Sequence, residues 1–282
     1  MTVNRNLRHR PSQAKENPGD MSDSRTTWPL WQKLSAICNR IRPRSNADIG
    51  LSPIISPSDS LSDALKDLSK SSTSRSDLWP PFVNYIQANT VLEIGVWKGT
   101  FAANMLSRCK SITKYYMLDP WRKLDDWNKP CNRGNTEFES CYHEAMAATG
   151  FADTKRIVLR GTTAEMIARI PDGSLDFVYV DGDHTLRGIT IDLISAYPKV
   201  RLGGFITGDD LVPSIWQHGS EFEPTLVFPF SAYFAEAVGM PFFALPHRQF
   251  LIAKLPRTHA YKFIDLTGKY KTMGLRQQLL SN

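Results

Sequence analysis

From Leu78 onward, short apolar runs alternate with segments of helical periodicity, and this alternation constrains the fold more than any other feature of the chain. The runs that read as strands are Thr90–Glu93, Tyr115–Leu118, Arg156–Arg160, Leu175–Val180, Gly204–Thr207, Phe242–Leu245 and Phe250–Lys254. Between them, Thr100–Ser107, Phe138–Thr149, Thr163–Arg169, Leu186–Tyr197 and Ala232–Val238 read as helices. Strands separated by helices pair in parallel through right-handed crossovers. Only Pro246, His247 and Arg248 separate the last two strands, so these are expected to form an antiparallel hairpin. The expectation is an α/β fold whose mostly parallel sheet is closed by a late hairpin.

Charge divides the chain. Of the net +6, the first 50 residues carry nine Lys/Arg against four Asp/Glu, and the rest is nearly balanced. The charge balance of the body therefore does not support a general phosphate-binding surface. Residues 1–76 read as a basic, Ser/Pro-rich arm. Within it Trp28, Trp31, Leu34, Ile37, Cys38 and Ile41 mark an amphipathic helix over 28–41, flanked by Lys33, Arg40, Arg42 and Arg44. That helix suits docking on the body, or a membrane surface or partner. The remainder of the arm reads as a linker with a short helix near Leu61–Leu68. The alternating domain is placed at 77–257 and a C-terminal extension at 258–282. No apolar run reaches the roughly 18 residues of a membrane span. Four cysteines without a CxxC pair fit free thiols in a reducing, cytoplasmic setting. Nothing in the sequence sets the oligomeric state.

The chemistry collects at strand ends, where open α/β sheets bind ligands. "VLEIGVWKG" (Val91–Gly99) runs from a strand into a glycine-bordered turn with the spacing Glu-x-Gly-x-x-x-Gly, which differs from the Gly-x-Gly-x-x-Gly of dinucleotide enzymes. The next strand ends in Asp119, about 20 residues beyond the loop, where a carboxylate accepts from ribose hydroxyls or caps a turn. "FVYVDGDHTLRGITIDL" ends its strand in Asp181, Gly182, Asp183 and His184, and "GGFITGDDL" ends in Asp209 and Asp210.

In order and spacing, "VLEIGVWKGTFA", "LDPW", "GTTAE", "SLDFVYVDGDHTLRGITIDL" and "GGFITGDDL" make residues 78–256 resemble class I S-adenosylmethionine-dependent methyltransferases. Within that class the likeness is to the "DGDH…GDD" group of small-molecule (sugar and antibiotic) O-methyltransferases. The resemblance implies a Rossmann-like class I fold with a seven-stranded sheet. It also implies S-adenosyl-L-methionine as cofactor and a small-molecule hydroxyl as acceptor. Glu93, Gly95 and Gly99 would hold the cofactor's amino-acid end, Asp119 its ribose and Thr162 and Thr163 its adenine, with Asp181 beside the sulfonium. Carboxylates converging from two neighbouring strand ends repel unless a cation joins them. On the metal-dependent pattern Asp181, Asp209 and Asp210 would bind Mg²⁺, which would make a bound hydroxyl more acidic. Asp183 or His184 would take the proton, although Asp183 also suits an N-cap acceptor and His184 a cap at the helix starting near Thr185 or a hydrogen bond to a neighbouring strand end. A cofactor-binding regulatory protein without turnover and an RNA methyltransferase using the basic arm remain alternatives.

Overall fold

The computed structural model describes residues 58–256 and 261–270; the helix expected over 28–41 lies outside them. Two helices come first, α1 (Ser58–Ser71) and α2 (Arg75–Tyr85). There follow β1 (Thr90–Ile94), α3 (Thr100–Arg108), β2 (Lys114–Asp119), α4 (Asn135–Ala148) and β3 (Arg156–Arg160). The chain continues through α5 (Thr163–Met166), β4 (Leu175–Val180), α6 (Leu186–Ala196), β5 (Val200–Gly208) and α7 (Val227–Val238). It ends in β6 (Phe242–Leu245), β7 (Gln249–Ala253) and β8 (Phe263–Asp265).

All eight strands form one Rossmann-like sheet in the order β3-β2-β1-β4-β5-β7-β6-β8. Strands β1 to β5 pair in parallel, and β7 is antiparallel to both β5 and β6. The expected hairpin is thus present, but the sheet has one strand more than the expected seven. Phe263–Asp265, in the C-terminal extension, pairs in parallel with β6. A three-residue strand is too short a pattern to read from sequence. Central β4 is buried at all six positions, as a strand covered on both faces must be. The order reverses between β1 and β4, and this opens a crevice at their carboxyl ends.

Helix α2 was not expected, because Pro80 and Pro81 lie inside it. Proline removes a helical N–H and strands a carbonyl one turn back. Here the Ser76 carbonyl is recovered by Asn104 Nδ2 (2.9 Å) and Arg108 Nη1 (2.8 Å) from α3. The helix then buries Leu78, Trp79, Phe82 and Val83. Trp79 meets Phe177 edge-on at 5.5 Å and Tyr179 at 6.2 Å, and Phe82 meets Phe205 at 5.2 Å. Such pairs contribute about 1 kcal/mol each beyond simple burial. Leu61 and Leu65, one turn apart on α1, join the same core. The long helix α1 therefore begins three residues before the short one read near Leu61–Leu68 and ends three after it.

The β6–β7 turn places His247 and Arg248 at φ near +60°, a left-handed pair that reverses the chain tightly. It brings Gln249 opposite Leu245 and points its side chain at the strand ends. Cys109, Cys131 and Cys141 are free thiols. No helix among the described residues is long and apolar enough to cross a membrane.

Candidate active site at the strand ends

The β1–α3 loop is shaped by how closely the ends of β1 and β4 approach. Asp181 N donates to Ile94 O at 2.7 Å. A Cβ on Gly95 would lie 2.0 Å from the Asp181 carbonyl oxygen, and its φ of +86° is left-handed. Only glycine fits there. Gly99 (φ +74°) caps α3, where a Cβ would meet the Ala145 backbone of α4 at 2.8 Å.

Asp119 holds this loop in place. Its Oδ2 accepts from Val96 N and Trp97 N, both at 2.9 Å, and its Oδ1 from Trp121 N at 2.7 Å. Burial raises its pKa despite those three donors. Oδ1 keeps one acceptor position open. Glu93 lies deeper, takes the Tyr115 hydroxyl at 2.6 Å, and is pushed well above the usual carboxylate range by burial. Thr162 caps α5 in a capping box with Glu165, whose Oε2 accepts from Thr162 N at 2.8 Å. Thr163 is buried and bonds the buried Asp192 of α6.

The acidic edge divides into two groups. In the first, His184 Nδ1 pairs with Asp210 Oδ2 at 2.7 Å, and Asp210 Oδ1 accepts from Gln217 Nε2 at 2.9 Å. Asp210 sits at φ +55°, and this left-handed turn aims it back toward His184. His184 Nε2 is buried without a hydrogen bond, 3.5 Å from Asp181 Oδ1. Burial pulls the imidazole pKa down, but Asp181 and Asp210 outweigh it and hold it at about 10. For Asp210 burial acts upward, and the hydrogen bond and charge of His184 bring it to about 2.

The second group is built on a residue from outside the strand ends. Arg75, the first residue of α2, donates through Nη1 to Asp181 Oδ2 (2.7 Å), to Asp209 Oδ2 and to the Tyr179 hydroxyl (3.3 Å). Asp209 Oδ1 accepts from Gln249 Nε2 (2.6 Å) and Asp210 N (2.8 Å). Burial and the charge of Asp181 lift Asp209 to about 6 against the pull of Arg75.

Asp181, Asp209 and Asp210 do not fit a shared Mg²⁺ in this arrangement. Arg75 and Gln249 hold the oxygens of Asp209, and Arg75 holds one of Asp181. Among the described residues, the group whose donor atoms lie within 4.8 Å of one another is instead Asp181, His184 and Asp210. An ion held by those three would have to displace the proton that His184 shares with Asp210, because a metal-ligating imidazole is neutral.

Asp183 faces away from both groups. Its Oδ1 accepts from Thr185 N (2.9 Å) and its Oδ2 from the Thr185 hydroxyl (3.0 Å), while Thr185 caps α6 through Gly188 N (3.1 Å). Of the two residues read as the base, Asp183 braces a helix start and His184 faces the acidic edge between Asp181 and Asp210.

Arg75, Tyr179, Gln217 and Gln249 were not among the residues singled out in the sequence. Arg75 lies in "SSTSRSD", which reads as linker, and the other three are common polar residues with no motif of their own. The two long connections after β2 and β5 are joined edge to edge. Asn128 Nδ2 donates to Glu221 O (2.8 Å), and Lys129 Nζ donates to Glu223 O (2.7 Å) and the Thr225 hydroxyl (3.1 Å). The Thr225 hydroxyl donates to Gln217 Oε1 (2.7 Å), so the chain of bonds runs from the loops to Asp210 and His184.

Residues 92–211 match the family described as "Methyltransferase domain". Similar solved structures include a putative caffeoyl-CoA O-methyltransferase from Staphylococcus aureus (13% identity, TM-score 0.48, covering 80% of this chain and all of that one). Others are an O-methyltransferase from Bacillus cereus in complex with SAH (15%, 0.49, 78% and 96%) and an SAH-bound methyltransferase from Podospora anserina (16%, 0.45, 85% and 100%). No curated protein sequence matches the chain.

Proposed function

We propose, on the match of residues 92–211 to the methyltransferase-domain family, that the protein transfers a methyl group from S-adenosylmethionine to a hydroxyl oxygen of a small molecule. The cofactor supplies a methyl already activated on a sulfonium. The protein's task is then to align an acceptor oxygen and remove its proton. The cofactor pocket is the crevice at β1 and β4. Gly95 and Gly99 shape its loop, Asp119 anchors that loop and offers its open Oδ1 position to a ribose hydroxyl, and Thr162 and Thr163 flank the adenine side. Glu93, bonded to Tyr115 beneath the loop, supports the amino-acid end, and Asp181 lies at the sulfonium end.

One observation carries the acceptor side of this reading. His184 Nε2 is buried, has no hydrogen-bond partner, and belongs to a ring fixed by Asp210 through its other nitrogen. An imidazole held this way is oriented to take a proton from an oxygen placed beside it. The loops after β2 and β5, with Trp127, Trp216 and Phe222, would cover the acceptor.

The test is methyl transfer from methyl-labelled S-adenosylmethionine to a panel of phenols, sugars and catechols. His184→Gln should lower kcat about 10²–10⁴-fold with S-adenosylhomocysteine affinity unchanged. Loss of cofactor affinity together with kcat would mean that His184 serves the cofactor pocket instead. Because the resting imidazole is protonated, kcat/KM should climb about tenfold per pH unit from neutrality and level near the imidazole pKa of about 10.

A further inference from the structure

Two carboxylates at neighbouring strand ends need a cation, and here a side chain of this protein provides it. Asp181 ends β4 and Asp209 follows the end of β5, and one nitrogen of Arg75 bonds to both. The position of Arg75 is set by the rest of α2. Trp79, one helical turn on, is fully buried against Phe177 and Tyr179 and donates through Nε1 to Gln249 Oε1 at 2.7 Å. Gln249 in turn holds the far oxygen of Asp209 at 2.6 Å and accepts from the Tyr179 hydroxyl at 3.0 Å. Arg75, Trp79, Tyr179, Gln249 and Asp209 are therefore one hydrogen-bonded unit, closed around the oxygens that a divalent ion would require.

Mg²⁺ binds through a few carboxylate oxygens in near-octahedral geometry and keeps several waters. A guanidinium is planar, offers several donors and satisfies carboxylates directly. We propose that Arg75 takes the place of a divalent cation between Asp181 and Asp209, joining the two carboxylates without a metal ion. The proposal deepens the methyltransferase reading by leaving proton removal to His184 and Asp210. Its test reads metal binding alone, so it stands or falls separately from turnover.

The experiment titrates Mn²⁺ into the full-length, EDTA-treated protein and follows free Mn²⁺ by electron paramagnetic resonance. The wild type should show no site tighter than about 1 mM, and Arg75→Lys, which keeps the charge, should behave the same way. Arg75→Met vacates the oxygens while keeping most of the side-chain volume. It should gain one site at least about tenfold tighter, which a second change, Asp209→Asn, removes. A wild-type protein that binds one Mn²⁺ per chain well below that limit, and loses it with Asp181→Asn, overturns the proposal. So does a folded Arg75→Met protein that gains no site. If Arg75→Met does not fold, the wild-type titration with its Asp181→Asn control decides alone.

Discussion

Asp192 lies within α6 under the candidate cofactor pocket, and it makes the stability of this protein depend on pH in a calculable way. The residue is buried, its Oδ2 has no hydrogen-bond partner, and a Cβ on Gly182 would lie 3.1 Å from that atom. Burial raises its pKa to about 7, against the opposing hydrogen bond of Thr163. An acid whose folded pKa exceeds its unfolded value keeps its proton longer in the folded state. Its contribution to stability is greatest below the unfolded pKa near 4 and is lost as pH rises to the folded pKa. About three pK units at 1.36 kcal/mol each give a total loss on the order of 4 kcal/mol, of which about 2 kcal/mol falls between pH 5.5 and 8.5. Asp192→Asn keeps the shape and removes the charge. Urea denaturation across pH 5.5–8.5 should find the variant more stable at the alkaline end, by a margin that shrinks by about 2 kcal/mol on acidification. A variant no more stable than wild type at pH 8.5, or a margin independent of pH, refutes the reasoning.

Three further outcomes test other parts of the structure. Gly95→Ala sets a Cβ against the Asp181 backbone at a left-handed φ; it should cost about 3 kcal/mol or more by urea denaturation and abolish stabilisation by S-adenosylhomocysteine. Trp79→Phe removes the donor to Gln249 Oε1 and part of a packed ring, and should cost about 2 kcal/mol in the same assay. Asp183→Asn can still brace Thr185, so kcat should stay within about threefold of wild type; a fall of about 10² or more would make Asp183 the base.

The parts of this protein that repeat a local physical pattern were legible in its sequence. Strands such as Leu175–Val180 are unbroken apolar runs, and the Gly95 and Gly99 turn declares itself because no other residue tolerates its backbone. The parts that depend on tertiary rescue were not. Pro80 and Pro81 argue against a helix unless α3 supplies donors for the stranded carbonyl, and only the fold reveals Asn104 and Arg108 doing so. Arg75 is lost with that helix. Once Arg75 is absent from the reading, the cluster of carboxylates calls for a metal; the side chains put Arg75 between Asp181 and Asp209 and bring His184 in beside Asp181 and Asp210. Likewise "DGDH" names two candidate bases three and two residues ahead of α6, but which one is spent on the helix start depends on the Thr185 geometry.

Calorimetric titration of the full-length protein with S-adenosylhomocysteine reads whether the β1–β4 crevice holds S-adenosylmethionine. One site per chain is expected, with a dissociation constant on the order of micromolar, lost in Asp119→Ala, which leaves the amides of Val96, Trp97 and Trp121 unpaired. Heat from NAD and none from S-adenosylhomocysteine would contradict it.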